Sequence, residues 1–368
     1  MLFDQPTRQR PTGIASTPVR VLTALVSLVI TLFAFGWSFQ LMRDPTVPRW
    51  LTIVVALVMG VGGIWMLFWA GNQAVNVLSS SRSQERWRSW VFVGPAIAVL
   101  AVYLVYPMFY TIWLSFFDKA GAFAGIDNYV FAFTDKEMRG AFVTNIYWLL
   151  LVTTFSVSLG LIIAVLLDRV RYESAAKSLI FLPMVISFVG ASVIWKFIYA
   201  FQPKGRPQTG ILNAITVALG NDPVGWLQLR QFNTFALIAI MIWLQTGFCM
   251  VILSAALKGI PGEVLDAARI DGADEIQIFF QIIIPALKTT IITVSTTVLI
   301  AVLKVFDIVF VMTGGQQGTE VIANRMFKEM FTNRNPGRAS AIAVILLIAV
   351  IPVMVANVRA FRNQGLEH

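Results

Sequence analysis

Long runs without a single charged residue govern what this chain can fold into. A helix that crosses a hydrocarbon core of about 30 Å needs about 20 apolar residues. Eight stretches free of Asp, Glu, Lys and Arg approach or exceed that length: 21–42, 50–81, 89–117, 140–167, 178–195, 231–257, 289–303 (continuing past Lys304 to Met312) and 339–358. Only 13% of the 368 residues are charged and 57% are hydrophobic, against about 25% charged in an ordinary soluble domain. That balance excludes a soluble enzyme, a disordered tail and a fibrous repeat. The expectation is an all-α, polytopic membrane bundle of eight transmembrane helices, the seventh interrupted, with backbone groups satisfied inside each helix as lipid demands.

Scarce residue types narrow the chemistry. Cys249 is the one cysteine and lies in an apolar run; His368 is the one histidine. Neither a disulfide framework nor a His/Cys metal cluster can be built from that supply. The first apolar run is too long for a signal-peptide core and lacks a small-residue cleavage site, so it reads as a retained helix. The final Leu366-Glu367-His368 is given no function. The net charge is +9, but the basic residues are spread over every loop, which suits lipid headgroups rather than nucleic acid. An even number of spans puts both termini on one side. The 28 Lys and Arg residues divide 14 and 14 between the two sets of loops, so the positive-inside rule does not decide which side. Pro183, Gly247 and Pro352 fall inside spans, where they mark either kinks or breaks that open backbone to a path.

The segment between the sixth and seventh spans has structure of its own. It runs from Lys258 to Lys288, with five acids and one base, Arg269, between Gly259 and Leu287. Pro261 and Gly262 end the preceding helix. Glu263 and Asp266 then fall in a first turn, where acids favour the helix dipole. Ala267 and Ala268 permit close approach, and Asp271-Gly272 breaks this first short helix. Asp271 is expected to cap the second, with Asp274 and Glu275 in its first turn. Ile276, Phe279, Phe280 and Ile283 recur at i, i+3, i+4, i+7 as one apolar face, and Pro285 closes the unit. Helices this short are not stable alone in water, so the pair packs either on another protein or on the membrane surface.

This loop resembles the EAA loop of permease subunits of bacterial ABC importers. The family pattern is E-A-A, three residues, G, nine residues, I-x-L-P. Here it reads Asp266-Ala267-Ala268, Gly272, then Ile282-Ile283-Ile284-Pro285, with Asp271-Gly272-Ala273 at the common D-G-A centre. Aspartate stands for the usual glutamate and Ile284 for leucine. Residues 89–362 resemble the sugar-type permeases of the maltose and α-glucoside group. The likeness is carried by Tyr106-Pro107, Leu114-Ser115-Phe116, Gly125-Ile126-Asp127-Asn128-Tyr129, Asn145, Phe181-Leu182-Pro183, Phe306-Asp307, Thr313-Gly314-Gly315 and Ala339-Ser340-Ala341. Gln316 stands where that group often has proline.

The resemblance implies a domain plan: residues 1–88 with two extra helices, residues 89–362 as a six-helix permease core, and the coupling loop 258–288 within it. It implies a subunit of an ATP-driven, binding-protein-dependent sugar importer in the bacterial inner membrane, with both termini cytoplasmic. Its partners would be two cytoplasmic ABC ATPase subunits, a second permease subunit, an extracytoplasmic sugar-binding protein and membrane lipid, with no nucleic acid. The ATPases would use ATP and magnesium. This chain would bind no cofactor, and it contains no G-x-x-x-x-G-K-[ST] run to cradle phosphates; the glycine-rich 314–318 reads as a turn. ATPase coupling would fall to Glu263, Asp266, Ala267, Ala268, Asp271, Gly272, Ala273 and Pro285. The outer loops 118–139, 196–230 and 313–338, with Tyr129, Trp226, Arg325 and Lys328, would meet the binding protein. The sugar path would be lined by Trp243, Gln245, Thr246 and Phe248 before the loop, and by Thr296, Thr297, Lys304 and Asp307 after it. Stacking faces and hydrogen-bonding groups suit a sugar, although Val298, Val302 and Val305 stand where polar residues would be expected. Lys304 and Asp307, three apart, are expected on one helix face, as an ion pair or as path residues.

Two rival classes remain at this level. An ion-coupled secondary transporter wants buried acidic or histidine relays, and Lys304/Asp307 is the one intramembrane ionisable pair. A membrane-embedded glycosyl-transfer enzyme wants paired carboxylates, which only Asp271, Asp274 and Glu275 could supply.

Overall fold

The computed structural model describes residues 17–77, 81–168 and 170–364. Both termini therefore lie outside the described residues. Every regular element is helical, apart from one isolated bridge between Phe117 and Phe123. Six helices are long and apolar enough to cross a membrane, and two bent pairs bring the number of spans to as many as eight. By internal contacts the chain divides into two compact units, 1–108 and 109–368.

The first unit holds α1 (Thr17–Arg43), α2 (Arg49–Val58), α3 (Ile64–Asn76) and all of α4 (Ser81–Leu100), with a π-turn at Met59–Gly63 joining α2 to α3. Small residues mark the packed stripe of α1: Ala24, Ser27, Thr31 and Ser38 are buried while its large apolar side chains face outward, the pattern expected where helices associate in lipid. The Ser27 and Thr31 hydroxyls donate to the carbonyls of Ala24 and Ser27 at 2.9 and 2.8 Å, so neither polar group is left bare. Gly63 lies against the Phe35 ring and Gly71 against Val91.

The second unit begins within α5 (Tyr106–Leu114). It continues through α6 (Asp127–Thr134), α7 (Lys136–Leu167), α8 (Glu173–Phe181), α9 (Phe188–Ile198), α10 (Ile211–Ala218) and α11 (Asn233–Leu257). Beyond these come α12 (Gly262–Ile270), α13 (Glu275–Ile278), α14 (Ile284–Ala286), α15 (Lys288–Leu303), α16 (Asp307–Met312), α17 (Ile322–Phe327) and α18 (Pro336–Gln364). Its core is the parallel pair α7 and α11. They meet where Gly160 faces Cys249 and Met250 so closely that an added Cβ would stand 2.6 Å from Cys249 Cβ. Thr144 and Asn233, near the starts of the two helices, both reach the 314–318 loop. At the other end, Val165 and Leu166 of α7 lie beside Glu275–Ile283. The glycine-rich loop and the coupling segment therefore sit at opposite ends of the bundle.

Three features differ from the apolar-run reading. The fifth span is broken outright: Glu173–Val185 and Phe188–Ile198 meet at 100°. Pro183 lies in a 3-10 turn, and Ser187 starts α9 by accepting the Gly190 N–H at 3.1 Å. Gly247 causes no kink. It lets unbroken α11 approach the backbone of α8, where an added Cβ would stand 2.6 Å from the Ile180 carbonyl oxygen. Likewise Pro352 is accommodated inside an uninterrupted α18.

Candidate functional site: a mid-span cleft, an outer loop and a coupling loop

The cleft lies where two helices are interrupted. Met184, Ile186, Ser187, Phe188 and Val189, at the α8/α9 break, line one side of a cavity of about 430 Å³; Leu244 and Gln245 of α11 and Asp307 complete it. Gln245 is the middle residue of α11, twelve from each end, so the cleft lies halfway through the span. Broken helices at mid-depth are where transporters expose backbone and polar groups to a solute. α15 ends at Leu303, and Asp307 opens α16 beyond an irregular 304–306 step. The expectation that Lys304 and Asp307 share a helix face is thus incorrect. Lys304 is exposed at the end of α15, and among the described residues no cation lies within 4 Å of Asp307. A charge at mid-membrane costs about 2.5–3.5 kcal/mol on insertion scales, and Asp307 lines the cavity rather than the packed core.

The remaining path candidates do not converge on this cleft. Trp243 and Thr246 line a separate, apolar cavity with Phe155, Leu159 and Pro183. Trp243 also stands edge-on to Trp195, with ring centroids 5.7 Å apart. The Thr246 hydroxyl is spent on the Ile242 carbonyl at 2.7 Å. Phe248 packs on the core. Thr296 and Thr297 both donate to the Thr293 carbonyl. Met184, Ser187 and Val189 were missed because only the break, which apolar composition conceals, turns them toward Gln245.

At the end of the bundle away from α12, residues 313–319 form a strap. Gly314, Gly315, Gln317 and Gly318 all have positive φ. Three elements hold the strap. Asn233 donates to the Gln317 carbonyl at 3.0 Å, Thr144 to Gly318 at 3.4 Å and Asn324 to Gly314 at 3.3 Å. Arg325 and Lys328, expected to meet the binding protein, form ion pairs within the chain. The Arg325 side chain is only 12% exposed and pairs with Asp135, Glu137 and the buried Glu329, while Lys328 pairs with Glu320. Asn128 of the Gly125–Tyr129 motif is also structural, donating to the Ser115 and Phe117 carbonyls at 2.9 and 2.7 Å. Asn145 accepts the Ile322 N–H at 2.8 Å. Trp226 and Tyr129 are both half-buried.

At the opposite end, α12 buries none of its residues. Glu263, Asp266 and Ala267 are exposed, Ala268 and Ala273 are half-buried, and Ile270 is 85% exposed. Asp271 does not cap the next helix. It closes α12 in right-handed geometry, and Gly272, at φ +88°, reverses the chain. Asp274 is the cap: it accepts the Gln277 N–H at 2.7 Å while Gln277 Oε1 accepts the Asp274 N–H at 2.9 Å, a reciprocal capping box. The sequence has Asp at both 271 and 274, and only the second has a glutamine three residues on. A π-turn at Phe279–Ile283 also splits the expected apolar face. Ile278 and Ile283 are buried, but Ile276 and Phe280 are 69% and 61% exposed, beside a cavity of about 280 Å³ against α7. Arg269 bridges the two short helices, 2.7 Å from Asp266 and 3.0 Å from Glu275. The Glu275 carboxylate, with Asp266 beside it, holds that guanidinium even more firmly protonated than usual. Pro285 is exposed within α14.

Comparison with known proteins accounts for this arrangement. Residues 156–362 match the family of binding-protein-dependent transport system inner membrane components. The chain belongs to that family. It is 64% identical over 275 residues to the osmoprotective compounds uptake permease of Synechocystis sp., covering 74% of this chain and 99% of that protein. It is 46% identical over 330 residues to the alpha-glucoside transport system permease of Rhizobium meliloti, covering 86% and 98%. In fold it is similar to a chain of a crystallised bacterial ABC transporter involved in the import of alginate, with a TM-score of 0.65 and 22% identity over 76% of this chain and 96% of that one. It is a multi-pass membrane permease of an ABC importer, a transport subunit rather than an enzyme.

Proposed function

We propose that this permease subunit carries a neutral, hydroxyl-rich solute of the α-glucoside class, delivered by an extracytoplasmic binding protein, and draws its energy from cytoplasmic ATPases through α12–α14. The observation that carries the coupling role is α12 itself: a nine-residue helix with no fully buried residue, leaning on the core through Leu265 and Ala268 alone, gains from a further packing partner. Its acids, its Gly272 turn and its Arg269 brace present a stiff knob to that partner. The coupling residues are Glu263, Asp266, Ala267, Ala268, Asp271, Gly272, Ala273 and Pro285. Two ATPases, using ATP and magnesium, and a second permease would complete the assembly, and this orientation puts both termini in the cytoplasm. Relatives that handle alpha-glucosides and osmoprotective compounds support the solute class, as does a cleft pairing an amide and a carboxylate with apolar walls.

The test is uptake of a radiolabelled α-glucoside by vesicles containing the full assembly. Uptake is expected to require hydrolysable ATP inside, an intact ATPase and the binding protein. Uptake that persists without ATPase and collapses with the proton or sodium gradient would establish the ion-coupled alternative instead.

A further inference from the structure

The cleft has a sign. Asp307 is the one acidic residue, and no basic residue stands, among the eight that line it; the others are Met184, Ile186, Ser187, Phe188, Val189, Leu244 and Gln245. No cation within 4 Å neutralises the carboxylate among the described residues, and no side-chain hydrogen bond engages it. Lys304, the nearest cation in sequence, is exposed at the end of α15 and does not line the cavity. The Ser187 oxygen accepts the Gly190 N–H and keeps its own O–H to donate, so Ser187, Gln245 and Asp307 are the polar groups that can meet a solute. In a narrow, low-dielectric passage one uncompensated charge sets the local potential.

We propose that Asp307 is a charge filter in the transit path. Its carboxylate accepts hydrogen bonds from the hydroxyl groups of a passing neutral glycoside, with the Gln245 amide supplying both donor and acceptor. The same charge repels solutes bearing carboxylate or phosphate groups. This rests on the reading of the cleft as a solute path and narrows the solute to neutral or cationic molecules.

The test measures the potential directly in the assembled transporter. Val189→Cys places a thiol in the cleft wall. Cys249, the chain's own cysteine, is fully buried, and Cys249→Ser removes any residual signal. The introduced thiol is labelled with a trimethylammonium-ethyl or a sulfonato-ethyl thiosulfonate, and each rate is normalised to that of a free thiol. With Asp307 present the cation is expected to react at least about tenfold faster than the anion, and Asp307→Asn is expected to bring the normalised ratio close to one. A ratio unmoved by Asp307→Asn, or a thiol that neither reagent reaches, overturns the filter. Uptake of a neutral α-glucoside by the same preparations separates the two readings: absence of ATP-dependent uptake in the unsubstituted transporter overturns the importer assignment, whereas an insensitive labelling ratio overturns only the filter.

Discussion

The turn at Gly272 offers a quantitative test of the coupling loop. Its φ of +88° lies where L-residues are disfavoured, yet an added Cβ would meet nothing within 4 Å. Substitution therefore carries a backbone cost without a clash inside the subunit. That cost is about 1–2 kcal/mol for an ordinary L-residue and less for asparagine, which tolerates left-handed geometry. Two hydrogen bonds close the turn, Gly272 N–H to the Arg269 carbonyl at 3.1 Å and Ala273 N–H to Ala268 at 3.0 Å. Because no residue of α12 is fully buried, the penalty is met locally: about 1–2 kcal/mol shifts the turn between native and frayed forms by roughly 5–30-fold. Gly272→Ala and Gly272→Val are expected to reach the membrane at normal levels while lowering ATP-driven uptake several-fold, and Gly272→Asn to retain most of it. Uptake by all three, set against membrane abundance, decides the matter. An alanine variant indistinguishable from wild type would refute the backbone argument. Asparagine more harmful than alanine would show that size at the docking surface, not φ, is what glycine satisfies.

The other expectations are shorter. Asp274→Ala removes the capping box and should cost about 1 kcal/mol of local helix stability, read as reduced uptake that Asp274→Asn largely restores. Gly247→Ala would press a methyl group onto the α8 backbone; overpacking of about 1–3 kcal/mol should lower the thermal unfolding midpoint of the purified permease, and an unchanged midpoint would sink the close-approach account. Gly315→Ala combines φ +76° with a Cβ 2.5 Å from both Asn324 Nδ2 and Glu320 Oε1. It should weaken stimulation of ATP hydrolysis by the binding protein while leaving unstimulated hydrolysis unchanged.

The helical class and the spans were legible because apolar length is a one-dimensional property, and the helix–turn–helix shape of 262–278 because its residues are spaced by local helix and turn geometry. The breaks were not. Residues 178–195 and 289–312 look much the same whether the helix runs through or bends, since the alternatives differ in where backbone groups find partners, not in composition. Gly247 shows the same ambiguity: a kink and a close approach both ask for glycine, and only the neighbouring Ile180 carbonyl distinguishes them. The ion pairs of Arg325 were not legible either, because Asp135, Glu137 and Glu329 are gathered around it only by tertiary structure.

One element joins the three functional regions. α11 begins at Asn233, which straps the outer loop, passes Gln245 in the cleft wall and ends at Leu257, four residues before the coupling knob. Unlike the spans on either side, it has no break, and Gly160 and Gly247 let α7 and α8 close tightly on it. Interiors packed this closely transmit displacement rather than absorb it. A push on α12 would therefore reach the outer loop through α11 and α7 as one body, whereas the interrupted helices across the cleft can change angle at 182–187 and 304–306. Alternating access asks for a stiff side and a jointed side; here the 182–187 joint carries Met184, Ile186 and Ser187 of the cleft wall, and the 304–306 step ends beside Asp307.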